Sequence, residues 1–208
     1  VDEAREACLL DAETQGDPEP VAQVANRFIP GPGGDVPIRI YRPQSEPHAP
    51  LPVLVFFHGG GWVVCNIDTH DTLCRSLCNA ANYLVVSVDY RLAPEHRFPA
   101  AVEDCYAATR WVTEAAHEIG GDPHRIVVGG DSAGGNLATV VSLLAREEGR
   151  PLPRLQVLIY PVTDCNLDTG SYKSNGEGYN LTRSMMKWFF DCYFNSERDG
   201  ADWRASPL

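Results

Sequence analysis

Gly130-Asp131-Ser132-Ala133-Gly134-Gly135 sets a serine among small residues, directly after the apolar run Ile126-Val127-Val128-Gly129 and directly before Leu137, Val140, Val141 and Leu144, which recur at helical spacing. A G-x-S-x-G between a strand and a helix presents a hydroxyl on a sharp, strained turn, where it can attack a carbonyl carbon. Glycines beside it let the helix pass close to neighbouring strands, and the helix N-terminus supplies partial positive charge where an oxyanion would develop. A glycine-rich strand-to-helix turn can also hold phosphate. That use calls for G-x-G-x-x-G or a P-loop lysine, and this turn has neither.

A second group follows another apolar run. His58-Gly59-Gly60-Gly61-Trp62 comes after Val53-Leu54-Val55-Phe56-Phe57, so it belongs at the same carboxyl edge of a sheet as Ser132. Three successive glycines let backbone N–H groups converge on one point with no side chain in the way, as an oxyanion hole requires. Alone, such a stretch is also a plain glycine loop; paired with the serine turn it is specific.

Serine needs a base to take its proton. The six histidines, His48, His58, His70, His96, His117 and His124, all precede Ser132. His96, following a strand at the correct edge, is the one unconventional base to consider. His70, Cys74 and Cys78 fall on one helix face and could bind a soft metal, but Leu73, Cys74, Leu77 and Ala81 read more simply as a core-facing stripe, so no metal is expected.

The elements that must position these groups alternate strand and helix. Residues 53–57, 84–88, 126–129 and 155–159 are short apolar runs with the look of strands buried on both faces. After Pro99 as first helical residue, Ala101, Cys105, Ala108, Val112, Ala115 and Ile119 recur at steps of four and three until Gly120-Gly121 stops the helix. The second stripe, from about Ser132, closes at Gly149 and Pro151. Such alternation predicts an α/β fold around a mostly parallel central sheet with helices on both faces. Two segments stand outside it: residues 1 to about 25, acidic and alanine-rich, and residues 163–204, whose Met185, Met186, Trp188, Phe189, Phe190 and Tyr193 suit either the inner side of a lid or a helix buried against the domain.

Composition narrows the partners. The chain of 208 residues, 44% hydrophobic and 22% charged, with formal charge −11 and no basic cluster, offers nothing to nucleic acid. No apolar run approaches the roughly 18 residues that span a bilayer, so no membrane anchor is expected. Seven cysteines in a chain of this size read as reduced thiols and a cytoplasmic location. Asn180-Leu181-Thr182 is a formal glycosylation acceptor of the kind chance often produces.

Taken in order, His58-Gly59-Gly60-Gly61, Asp89-Tyr90-Arg91-Leu92-Ala93-Pro94-Glu95, Phe98-Pro99-Ala100-Ala101 and Gly130-Asp131-Ser132-Ala133-Gly134-Gly135-Asn136 resemble the hormonesensitive-lipase-like esterases, the bacterial family IV carboxylesterases of the α/β-hydrolase superfamily, from about Phe28 to Leu208. The resemblance implies Ser132 as nucleophile and the N–H groups of Gly60, Gly61 and Ala133 as oxyanion hole. It implies that His58 and Gly59 support that loop, and that Asp89 and Arg91 build a turn. It further implies helical cap segments at about 1–25 and 163–204 on a single α/β-hydrolase domain incomplete at both ends. Its members hydrolyse short-acyl esters without a cofactor, with a triad acid and histidine that would lie beyond Leu208. The same machinery serves amide or thioester cleavage. A hydrolase-like binding module is the other class, and a homodimer through sheet edges or cap helices is compatible with either.

Overall fold

The computed structural model describes residues 1–45 and 50–208; His48 lies outside the described residues. The chain runs α1 (Asp2–Ala12), β1 (Gln23–Gly31), β2 (Gly34–Arg42), β3 (Leu51–Phe57), α2 (Asp71–Ala81), β4 (Leu84–Val88), α3 (Ala100–Ala115), β5 (Gly121–Asp131), α4 (Ala133–Glu147), β6 (Leu155–Ile159), α5 (Gly170–Asn175) and α6 (Arg183–Tyr193). The sheet order is β1-β2-β4-β3-β5-β6. Strands β4, β3, β5 and β6 are mutually parallel, while β1 and β2 form an antiparallel hairpin joined antiparallel to β4.

The apolar runs are continuous because both faces of the inner strands are covered. Val53, Val55, Phe57, Leu84, Val86, Val88, Ile126 and Val128 face the larger core with α3 and α4. Leu54, Phe56, Val85 and Val127 face a smaller one with Cys74 and Cys78 of α2. The α3 stripe is as expected, with Ala101, Cys105, Ala108, Val112 and Ala115 buried. Pro99 is the N-cap rather than the first helical residue, and Gly120, in the left-handed region at φ 74°, ends the 3₁₀ turn that follows α3.

Two sequence expectations need correction. The β1–β2 hairpin was not anticipated, although Val36, Ile38 and Ile40 alternate inward along β2. Strand β6 is not buried on both faces: Leu155 is 57% and Leu158 38% exposed. Among the described residues β6 pairs with β5 and is covered where α4 reaches it.

The N-terminal helix α1 fully buries none of its residues; Ala4 and Cys8 lie half-buried against the larger core, and Arg5 supplies its polar anchor. Arg5 donates from Nε to Val63 O (2.9 Å) and from Nη2 to Ala93 O (3.0 Å), and grips both Glu95 carboxylate oxygens at 2.9 and 2.7 Å. At the other outlying segment, Met186, Phe189, Phe190 and Tyr193 of α6 are buried. Trp62 stacks on Tyr193 at 4.4 Å and 2° between ring planes, so α6 packs directly over the glycine-rich stretch.

Candidate active site

Strands β3, β4 and β5 end in register, Phe57 beside Val88 and beside Gly130, which brings His58, Asp89 and Ser132 to one edge of the sheet. Ser132 is the N-cap of α4 at φ 52°, ψ −115°, a conformation that costs a non-glycine residue roughly 1–3 kcal/mol and persists only where its surroundings enforce it. They do. Ser132 N–H donates to Ile159 O (2.9 Å), and Ser132 O accepts from Asn136 N–H (3.1 Å) and Val162 N–H (3.2 Å). Ala133 is the first residue of α4, so its N–H has no acceptor within the helix.

The glycine loop is held from both ends. Val63 and Val64 N–H groups donate to Gly60 O at 3.0 and 2.9 Å, closing a tight turn in which Gly60 takes φ 106° and Gly61 φ 58°. A Cβ on Gly60 would lie 2.1 Å from Val64 O, and one on Gly61 2.2 Å from the Phe189 ring. Only glycine fits there. His58, fully buried, donates from Nδ1 to Gly59 O (2.7 Å), and Tyr90 stacks on its ring at 4.3 Å while donating its hydroxyl to His58 O (2.7 Å). Because a peptide unit is planar and trans, fixing Gly59 O also fixes the opposite direction of Gly60 N–H. Gly59 N–H donates to Asp131 Oδ1 (2.9 Å), whereas the N–H groups of Gly60 and Gly61 donate to no protein acceptor among the described residues.

Burial, with His70 nearby as a lesser cause, depresses His58 to about 3. The ring is therefore neutral at physiological pH and unsuited to proton transfer from Ser132. An unfolded chain takes up that proton below about 6.5, whereas the folded one refuses it down to about 3. Stability should therefore fall as the pH is lowered across that interval, by about 1.4 kcal/mol per unit from this residue. Urea midpoints at pH 7 and 4.5 should differ more for the parent protein than for His58→Asn, which keeps a donor near Nδ1 but does not titrate.

His96 does not approach the serine. It lines a cavity of about 490 Å³ with Arg5, Leu9, Cys65 and Tyr90, to which Ser132 does not contribute. No histidine hydrogen-bonds Ser132 Oγ among the described residues. His70, Cys74 and Cys78 separate: His70 turns to Asp131, Cys74 packs into the smaller core, and Cys78 Sγ donates to Tyr83 O (3.1 Å). The described residues contain no cluster of three His, Cys, Asp or Glu side chains that could hold a metal. Arg91 pairs through Nε and Nη2 with both oxygens of buried Asp104 at 2.8 and 2.9 Å, bracing the turn after β4.

Residues 54–208 match the family model of the alpha/beta hydrolase fold. The chain belongs to that family, in its hormone-sensitive-lipase-like branch. It is 50% identical over 202 residues to the carboxylic ester hydrolase LipN of Mycobacterium tuberculosis, covering 94% of this chain and 53% of that protein. It is 44% identical to the ethyl acetate hydrolase of Pseudomonas putida, covering 85% of this chain and 56% of that one. EstE1, a thermostable carboxylesterase from a metagenomic library, superposes with a TM-score of 0.93 at 45% identity, over 100% of this chain and 70% of its own. An ester hydrolase from the Lake Arreo metagenome, solved with a bipyridine phosphonate derivative, gives 0.94 at 44%, over 98% of this chain and 65% of its own. The chain thus spans about half the length of these curated relatives.

In this hydrolase fold the link between serine turn and sheet edge also runs through Asn136, whose role spacing alone did not disclose. Fully buried, it donates from Nδ2 to Val162 O (2.7 Å) and Ala205 O (2.8 Å), tying α4 to the loop after β6 and to the segment after α6. Asn136→Ala leaves the buried Ala205 carbonyl and the half-buried Val162 carbonyl without this donor and should cost about 2 kcal/mol, read as a lower urea midpoint.

Proposed function

We propose that the protein is a carboxylic ester hydrolase acting on short-acyl esters through an acyl-enzyme, with Ser132 as nucleophile. The observation that carries this reading is the pairing of a strained serine at the head of α4 with the unspent N–H groups of Gly60 and Gly61 at the neighbouring strand end. In the proposed reaction Ser132 Oγ attacks the ester carbonyl, and the N–H groups of Gly60, Gly61 and Ala133 stabilise the tetrahedral oxyanion. The alcohol leaves as the acyl-enzyme forms, and water then releases the acid. His58 and Gly59 shape the loop without touching substrate. The segments at about 1–25, whose last residues enter β1, and 163–204 act as cap segments, with Phe189 of α6 forming the ceiling over Gly61.

The proton acceptor is a histidine, oriented by a carboxylate, that the whole protein supplies beyond Leu208. In this fold both follow the nucleophile in the chain, and the curated relatives are nearly twice as long as the matched part. The two-carbon acid of the ethyl acetate hydrolase's named substrate supports a short acyl group. Seven free thiols support a reducing, cytoplasmic setting, and no helix among the described residues is long and apolar enough to cross a membrane.

Intact-mass spectrometry of the whole protein before and after a fluorophosphonate probe tests this reading. One adduct mapping to Ser132 is the expected result. An unlabelled protein, or an adduct elsewhere, overturns it.

A further inference from the structure

We propose that His70 is a positioning residue of the oxyanion loop, acting through Asp131 on Gly59; this rests on the esterase reading above. Its ring sits just before α2, 5.6 Å from the ring of His58, and is 13% exposed in its side chain. Nε2 lies 3.2 Å from Asp131 Oδ1, the same oxygen that accepts Gly59 N–H at 2.9 Å. Two acceptors cannot face each other, so Nε2 brings the hydrogen to the carboxylate.

The other ring nitrogen is anchored too. Nδ1 is 2.9 Å from Thr69 Oγ1, whose one hydrogen is shared between Nδ1 and Asn66 O (2.8 Å) and whose oxygen accepts Asn66 N–H (3.0 Å). Both ring nitrogens are thus used, and the imidazole cannot turn without breaking a bond. Asp131 is the residue before the nucleophile, so its carboxylate couples the head of α4 to the glycine loop. That carboxylate is nearly buried, with its side chain 11% exposed. Without His70 it is free to rotate about its own bonds, and Gly59 N–H loses its fixed acceptor. His58 holds the Gly59 carbonyl and the His70–Asp131 pair the Gly59 N–H, so the peptide that aims Gly60 N–H and the peptide before it are both fixed.

Three variants of the whole protein separate this role from simple packing. His70→Gln places an amide N–H near the position of Nε2, His70→Asn places one near Nδ1, and His70→Ala removes both. With p-nitrophenyl acetate as the ester, His70→Ala should lose about tenfold in kcat with KM within about twofold, since a loosened loop harms the transition state more than substrate binding. His70→Gln should recover to within about threefold, and His70→Asn should not. Deuterium exchange over residues 57–64 should quicken in His70→Ala and return to the parent rate in His70→Gln. This second readout needs no turnover. A parent protein that neither hydrolyses ester nor takes phosphonate defeats the esterase reading alone, while exchange still decides the His70 link. Equal behaviour of Gln, Asn and Ala, in kcat or in exchange, overturns the proposal, as does a change confined to KM.

Discussion

Ser132→Ala in the whole protein should lower ester turnover by a factor on the order of 10⁵ to 10⁶ and remove the phosphonate adduct, leaving the residual activity that an oxyanion hole alone confers. Steady-state kinetics on p-nitrophenyl acetate reads the loss. Activity within tenfold of the parent would mean that another residue is the nucleophile. Stability supplies an independent check on the same atom. At φ 52° and ψ −115° alanine inherits the strain that serine bears, whereas glycine tolerates the conformation. Ser132→Gly should therefore unfold about 1 kcal/mol later than Ser132→Ala, the relief of strain outweighing the extra freedom that glycine has in the unfolded chain. Two equally inactive variants that differ in stability in this direction would show the turn to be held against its own preference, as an exposed nucleophile requires. Equal urea midpoints would mean that the backbone at Ser132 is unstrained.

Gly134→Ala should be the most damaging glycine-to-alanine substitution for folding. A Cβ at this position would sit 1.9 Å from Phe57 O, 2.6 Å from Phe57 C and 2.7 Å from His58 O. All three are backbone atoms of β3 and the start of the glycine loop, so no rotamer change relieves the collision. Helix α4 must lift off the sheet, carrying Ser132 and Ala133 away from Gly60 and Gly61. A cost of at least about 3 kcal/mol follows, with activity lost even in the fraction that remains folded. Urea denaturation followed by circular dichroism measures it. Gly170→Ala is the control, since a Cβ there meets nothing within 4 Å and should shift the midpoint negligibly.

Much of this site was legible in the sequence because its requirements are local. A serine between small residues, a run of three glycines and apolar stretches of strand length each state their own geometry: a sharp turn, a bare backbone, a strand covered on both faces. The α3 stripe ending at Gly120 and the α4 stripe beginning beside Ser132 were equally readable, because a period near 3.6 is a property of consecutive residues. Strand β2 carried the same kind of signal in Val36, Ile38 and Ile40, yet that alternation cannot name the partner it pairs with.

Tertiary structure decided what depends on residues far apart in the chain. The four apolar runs look alike, but only pairing put β3 between β4 and β5 and set β6 beside β5. His70, Cys74 and Cys78 share a helix face by spacing, yet the sheet beneath them sends the cysteines to the core and the histidine to Asp131, 61 residues later in the chain. Phe189 could have lined a lid or a core until it came to rest on Gly61. Short-range sterics and hydrogen-bonding needs are written in neighbouring residues, and they shaped the strained turn at Ser132 and the glycine loop. Which carboxylate, ring or carbonyl holds that loop in place depends on contacts between segments, and these exist only once the strands have paired.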